Sequence, residues 1–147
     1  MVWLEIFNFV HFLGLAFGLG GATLAAIISR KSERDSEIGK LSFKIMPSIS
    51  KLIFFGLVLL IISGIALPFF IAWPLNKELL IVKHVLVAWI VVIGIILGRS
   101  SKKIFNLAPV GREKPSLRYL RTKKKIKLFS MINLVLWYVV TLISAFV

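Results

Sequence analysis

Four apolar runs, Ile6 to Ile28, Leu52 to Ala72, Leu79 to Gly98 and Leu128 to Val147, constrain this chain more than anything else in it. Each reaches the roughly 20 residues that an α-helix needs to cross the hydrocarbon core of a bilayer. A backbone in lipid must satisfy its own hydrogen bonds, so such runs are expected as helices. They take up more than half of the 147 residues, and the chain is 59% hydrophobic. A soluble domain of this size is far less apolar. The expected fold is therefore all-α: a single polytopic domain, residues 1–147, in which the bundle itself is the protein. Short connections make consecutive helices antiparallel, giving an up-down-up-down bundle with helices one and three diagonal.

The net charge of +13 is distributed unevenly. Arg30, Lys31, Arg34, Lys40, Lys44 and Lys51 fall in the first connection (29–51), and eleven basic residues from Arg99 to Lys127 fall in the third (99–127). Only Lys77 lies in the second. This is the positive-inside pattern, which predicts cytoplasmic first and third loops, an anionic inner leaflet as partner, and both termini on the non-cytoplasmic side. A nucleic-acid partner would call for base-stacking aromatics within the basic stretch, where Tyr119 stands alone. A cleaved leader would carry positive charge before its apolar region, whereas Met1-Val2-Trp3-Leu4-Glu5 has none, so the first run reads as a retained helix. In the outward-facing arrangement Trp3 and Trp73 both sit at the interface level favoured by amphipathic rings.

The first connection mixes both charge signs and reads as a solvated surface. In the third, Pro109, Gly111 and Pro115 precede Ser116, which suits a helix cap. From Leu117 to Phe129 apolar residues alternate with Lys and Arg. This predicts either a short interfacial helix or a basic flank of the last span.

His11 and His84, the only histidines, each lie inside an apolar run. An ionisable side chain at membrane depth is costly and by default marks a functional site. Glu5 and Glu78 each precede their histidine by six positions. At the helical rise both imidazoles then lie roughly 9 Å inside the outer boundary, at one level on parallel helices. Two imidazoles facing across a bundle core meet the need of a b-type haem for axial ligands, making His11 and His84 the candidate ligands of the haem iron. The absence of cysteine excludes covalent haem, thiolate metal sites and disulfides.

Gly14, Gly18, Gly21, Ala22 and Ala25 continue the face of His11. Such a stripe permits close helix packing and equally leaves room for a flat macrocycle, so Gly14 and Gly18 are candidate cofactor contacts. On span three the face of His84 continues through Ala88, Val91, Ile95 and Gly98, and that of Lys83 through Val87, Ile90 and Gly94. Neighbouring positions point about 100° apart. His84 is expected inward, with Lys83 beside the groove and in reach of a haem propionate, or snorkelling to the interface. Span four carries a polar seam, Ser130, Asn133, Trp137, Thr141 and Ser144, suited to bonding between helices or to orienting an imidazole. Ser63-Gly64 and Pro68 predict a weakened or kinked second helix. Copper would favour methionines, but Met46 and Met131 lie at the wrong level. Zinc would need more protein ligands than two histidines. With no carboxylate inside a span, hydrolysis is unsupported and cofactor chemistry is favoured.

His11-Phe-Leu-Gly14-Leu-Ala-Phe-Gly18-Leu-Gly-Gly21 and Trp73-Pro-Leu-Asn-Lys77-Glu-Leu-Leu-Ile-Val-Lys83 resemble two related groups of membrane proteins. These are the HemJ-type protoporphyrinogen IX oxidases and the copper-resistance D-like proteins, both small helical bundles. The oxidase type usually adds a Trp in the glycine stripe and a Leu-Pro-Arg plus His cluster after it, which this chain lacks. The oxidase resemblance implies b haem, a span-one histidine matching His11, and an essential lysine, Lys77 or Lys83, as the candidate catalytic residue. The implied activity is electron transfer or oxidation of a porphyrin-like substrate, with a redox partner. Two other readings stay open. One is a transporter-like, copper-handling or accessory subunit using the histidines for protons or a ligand; the other is a structural subunit of an oligomer or larger complex.

Overall fold

The computed structural model describes residues 2–32, 36–70, 76–107, 116–144 and 146. Helix α1 is Val2–Ser32, α2 Ser36–Ala66, α3 Lys77–Asn106 and α4 Leu117–Ser144, and a 3₁₀ turn over Leu67–Phe69 follows α2. All four helices are long and apolar enough to cross a membrane. The fold is the expected all-α arrangement of four helices.

Every helix begins before its apolar segment, and α1 and α3 also continue past it, because hydropathy marks the hydrocarbon stretch while backbone hydrogen bonding runs on. Most of 29–51, expected as a loop, is thus the end of α1 and the beginning of α2. The stretch Leu117–Phe129 is no separate interfacial helix but the first turns of an unbroken α4. Ser116 caps it, its Oγ accepting the Tyr119 N–H at 3.2 Å, the bond an N-cap makes to the third helical residue. Asn76 caps α3 in the same way, its Oδ1 accepting the Leu79 N–H at 3.2 Å. Pro68, expected to kink its helix, instead sits in the 3₁₀ turn where α2 ends. It has no N–H to continue the ladder. Trp3 is 63% exposed near the start of α1, as an interface anchor would be; Trp73 lies outside the described residues.

Helices α1 and α2 face each other in a fixed antiparallel register. The facing pairs are His11 with Ser63, Gly14 with Leu60, Gly18 with Gly56 and Gly21 with Ile53. Each step of three or four residues along α1 meets an equal step backwards along α2. Glycine makes the approach feasible: a Cβ on Gly56 would stand 2.8 Å from the Gly14 carbonyl oxygen, and one on Gly14 would stand 2.8 Å from Leu60 Cγ. These backbones pack as closely as small residues allow in membrane helices.

The helices associate unequally. Packing is most extensive between α1 and α2, next between α3 and α4, then between α1 and α4. Helices α2 and α3 touch only sparsely, and among the described residues α1 and α3 make no contact, which places them diagonally. The molecule is two antiparallel hairpins docked through α1 and α4, with a thin seam between α2 and α3. Its interior centres on Ala22, Leu57, Ile90, Trp137 and Val140. Its outside is as apolar as its inside: Phe9 is 67% exposed and Phe12 70%. Continuous apolar surface on this scale is compatible with hydrocarbon around it.

Candidate functional site

The docked hairpins leave a cavity of about 470 Å³ at the end of the bundle opposite the basic segments. All four helices line it. His11 comes from α1, Lys83 and His84 from α3 and Ser144 from α4, over an apolar floor that includes Leu57, Ile90 and Trp137. Its size falls within the ordinary range for small-molecule sites, as does its character of apolar walls with few polar groups. From Lys83 to Val92 the α3 wall runs roughly 13 Å toward the middle of the span.

The histidines thus line one cavity, although α3 presents its two polar neighbours differently from expectation. Lys83 is half-buried and His84 is exposed on the cavity's flank. The reason lies in what α3 packs on. Its buried positions are Ile90 and Ile93, and Lys83 precedes Ile90 by seven residues, two turns along the same stripe. His84 is rotated off that stripe. Lys77, at the first turn of α3, is exposed and lines no part of the cavity, so of the two candidate lysines it is Lys83 that reaches it.

Gly14 and Gly18, expected as cofactor contacts, do not border the cavity either. Gly14 is closed off by Leu60 and the Gly56 backbone, and Gly18 by the indole ring of Trp137. The groove they could have offered to a macrocycle is filled by helix packing.

Hydrogen bonds anchor Nδ1 of each imidazole. His84 Nδ1 lies 2.7 Å from the Leu80 carbonyl oxygen. A carbonyl only accepts, so Nδ1 carries the proton and Nε2 keeps its lone pair. His11 Nδ1 lies 2.9 Å from Ser63 Oγ. The Ser63 hydroxyl also lies 2.7 Å from the Leu59 carbonyl; when it donates its one proton there, His11 Nδ1 is the donor to Ser63 and Nε2 keeps its lone pair. Both rings are anchored through Nδ1, and the Leu80 carbonyl holds His84 in the form that leaves Nε2 available, as in histidines that bind a metal.

Ser63 is fully buried, and its role was not foreseen from sequence, where it served only as a sign of a weakened helix. The α4 seam does not orient the rings. Thr141 donates to the Trp137 carbonyl and Ser144 to the Val140 carbonyl, each at 2.8 Å within its own helix. Replacing Ser63 by alanine leaves a half-buried imidazole nitrogen without its hydrogen-bond partner, a loss of about 1–3 kcal/mol. Denaturation in micelles checks the loss, and nitrogen NMR of His11 is expected to change from one tautomer to a mixture.

The donor set decides which metals the site suits. Among the described residues no three His, Cys, Asp or Glu come together to hold an ion. A macrocycle-bound iron would bring most of its own ligands, and His11 and His84 are the cavity side chains that would hold it. Lys83 makes no hydrogen bond or ion pair among the described residues. An ammonium in an apolar cavity calls for an anion. No protein-family description, curated protein or solved structure matches this chain, so what the site does is argued from its own atoms.

Proposed function

We propose that this chain is an integral membrane protein that binds b haem between its two hairpins and serves electron transfer or the oxidation of a porphyrin-like substrate. One observation carries the reading: an otherwise apolar cavity is lined by two imidazoles, each anchored through Nδ1, and by one ammonium with no ion pair among the described residues. His11 and His84 would hold the iron and Lys83 would receive a propionate. Bound haem would supply one-electron redox chemistry. The chain's own part is to fix the His11 ring through Ser63, to present a cation at the polar end, and to exclude water with an apolar floor. The local likeness to the HemJ-type oxidases around His11 and Lys83 agrees with this. The uneven basic charge supports an orientation with the cavity toward the non-cytoplasmic face and the basic end on the anionic inner leaflet.

The optical spectrum of the detergent-purified full chain, supplied with haem, tests the proposal. A Soret band is expected. It should shift in His11→Ala and in His84→Ala and vanish in the double variant, while Lys83→Gln weakens haem affinity about tenfold or more through loss of a charge-assisted bond. Absence of the band, or a band unchanged in both histidine variants, overturns it.

A further inference from the structure

The upper cavity, which His11 and Lys83 line, has one weak side. Its α1–α2 face is shut by the glycine contacts, whereas α2 and α3 touch only sparsely. On that side the lining residues are also surface residues. Ile61 and Ile65 of α2 and His84, Ala88 and Val92 of α3 all border the cavity, and all are exposed. Ile65 is 57% exposed and Val92 46%, so each turns one flank to the cavity and another to the outside. We infer that the upper cavity opens sideways between α2 and α3 and takes its ligand from the hydrocarbon of the bilayer. That ligand is an amphiphile whose apolar body fills the cavity and whose polar end meets His11, Lys83 and His84. The proposal rests on the reading of the chain as an integral membrane protein and does not require haem.

Three features favour hydrocarbon over water as the source. The first is the shape of the opening. His84, Ala88 and Val92 recur at every fourth position, so they form a rim that runs roughly 12 Å along α3. Ile61 and Ile65, one turn apart, form the opposite rim on α2, and between them the wall recedes at Gly64, where a Cβ would meet nothing within 4 Å. A slot parallel to the helices faces the side of the bundle, where lipid chains would lie. The second is chemistry. Apart from His84 the rim is hydrocarbon, which offers a well-hydrated solute nothing in exchange for its water. The third is order. Along the α3 wall, Lys83 and His84 stand near the helix end and Val91 and Val92 toward the middle of the span. An amphiphile in a leaflet has the same sequence of groups, polar end outward and apolar body inward, and can slide in without turning over. Entry from the basic end is closed. A lower cavity of about 350 Å³, between α1 and α4, shares no described lining residue with the upper one, and Trp137 packed on Gly18 stands at the upper floor.

Fluorescence quenching of Trp137 tests the opening. In the full chain, Trp3→Phe, Trp73→Phe and Trp89→Phe leave Trp137 as the one tryptophan. With this chain in phosphatidylcholine vesicles, stearic acid brominated at mid-chain and dissolved in the membrane is expected to quench the emission, and iodide in the water is not. Ala88→Phe and Gly64→Phe, which narrow the slot from either side, should each reduce the quenching. Ala88 is exposed and Gly64 has open space beside it, so neither change threatens the fold. Gly94→Phe, on α3 but outside the cavity and equally free of neighbours, should leave the quenching as it was. A companion chain that keeps only Trp89, 57% exposed on the surface of α3, should be quenched in every variant. Quenching of Trp89 without quenching of Trp137 overturns the side opening and leaves the membrane reading intact, while failure to quench either overturns both. The side opening is also overturned if iodide quenches Trp137 as well as the brominated acid does. So it is if Ala88→Phe and Gly64→Phe change the quenching no more than Gly94→Phe.

Discussion

Leucine in place of Gly56 is expected to force α1 and α2 apart and to cost more than any other single change in the bundle. The reason is that what a side chain would meet there is mostly backbone. A Cβ at Gly56 would come 2.5 Å from the Gly18 nitrogen, 2.8 Å from the Gly14 carbonyl oxygen and 2.9 Å from Phe17 Cβ. Backbone has no rotamer to move into, so the helices must separate along their whole register. Alanine alone should cost about 1–3 kcal/mol, the usual range for overpacking, and leucine more. The separation also moves Ser63 from His11, since both lie on the same interface. Gly20 supplies the control. It is exposed, and a Cβ there meets nothing within 4 Å, so Gly20→Leu should leave stability nearly unchanged or raise it slightly through helix propensity. Denaturant titration in micelles, followed by tryptophan fluorescence, compares the two. Equal stability of the Gly56 and Gly20 variants would refute the close packing.

Trp137→Ala is expected to have the next largest effect, about 3–5 kcal/mol. Trp137 is the largest fully buried side chain, 1% exposed, and its ring lies against Gly18 on the helix that joins the two hairpins. In lipid its contribution is contact with close-packed neighbours rather than removal from water. Truncation would join the space it leaves to the upper cavity, whose floor it forms. Trp137→Phe should cost far less. The indole Nε1 has no hydrogen-bond partner among the described residues, so phenylalanine deletes an unpaired buried donor while keeping most of the ring. A loss as large for phenylalanine as for alanine would show that the indole nitrogen, not the packing, matters. The same micelle titration, read by circular dichroism, measures both.

What the sequence made legible, and what it did not, follows the range of the forces involved. The four helices and the Ser116 cap depend on local hydropathy and local hydrogen bonding, and both could be read from the chain. Constant rise per residue led to the expectation of one depth for His11 and His84, and the two line one cavity. The facing of Lys83 could not, since it depends on which side of α3 packs against α4, as the burial of Ile90 shows. The bond from His11 to Ser63 needed the α1–α2 register. The glycines hold that register, but only once Gly56 is recognised as the partner of Gly18. Gly14 and Gly18 suited a macrocycle on spacing alone, and the ring of Trp137, remote in sequence, takes the space beside Gly18. The α4 seam shows the same limit: Thr141 and Ser144 found acceptors within one turn of their own helix.

The division into two hairpins has a consequence for how the molecule comes into being. Within each hairpin the partners are neighbours in sequence, and contacts of short sequence separation form quickly. Docking of α1 on α4 joins residues more than a hundred positions apart, as Thr23 and Tyr138 are, and so comes last. Both cavities owe their walls to that step, the upper drawing on all four helices and the lower on α1 and α4. Ligand-binding competence is then acquired only at the end of assembly, and an occupant of either cavity favours the completed molecule over its separate halves.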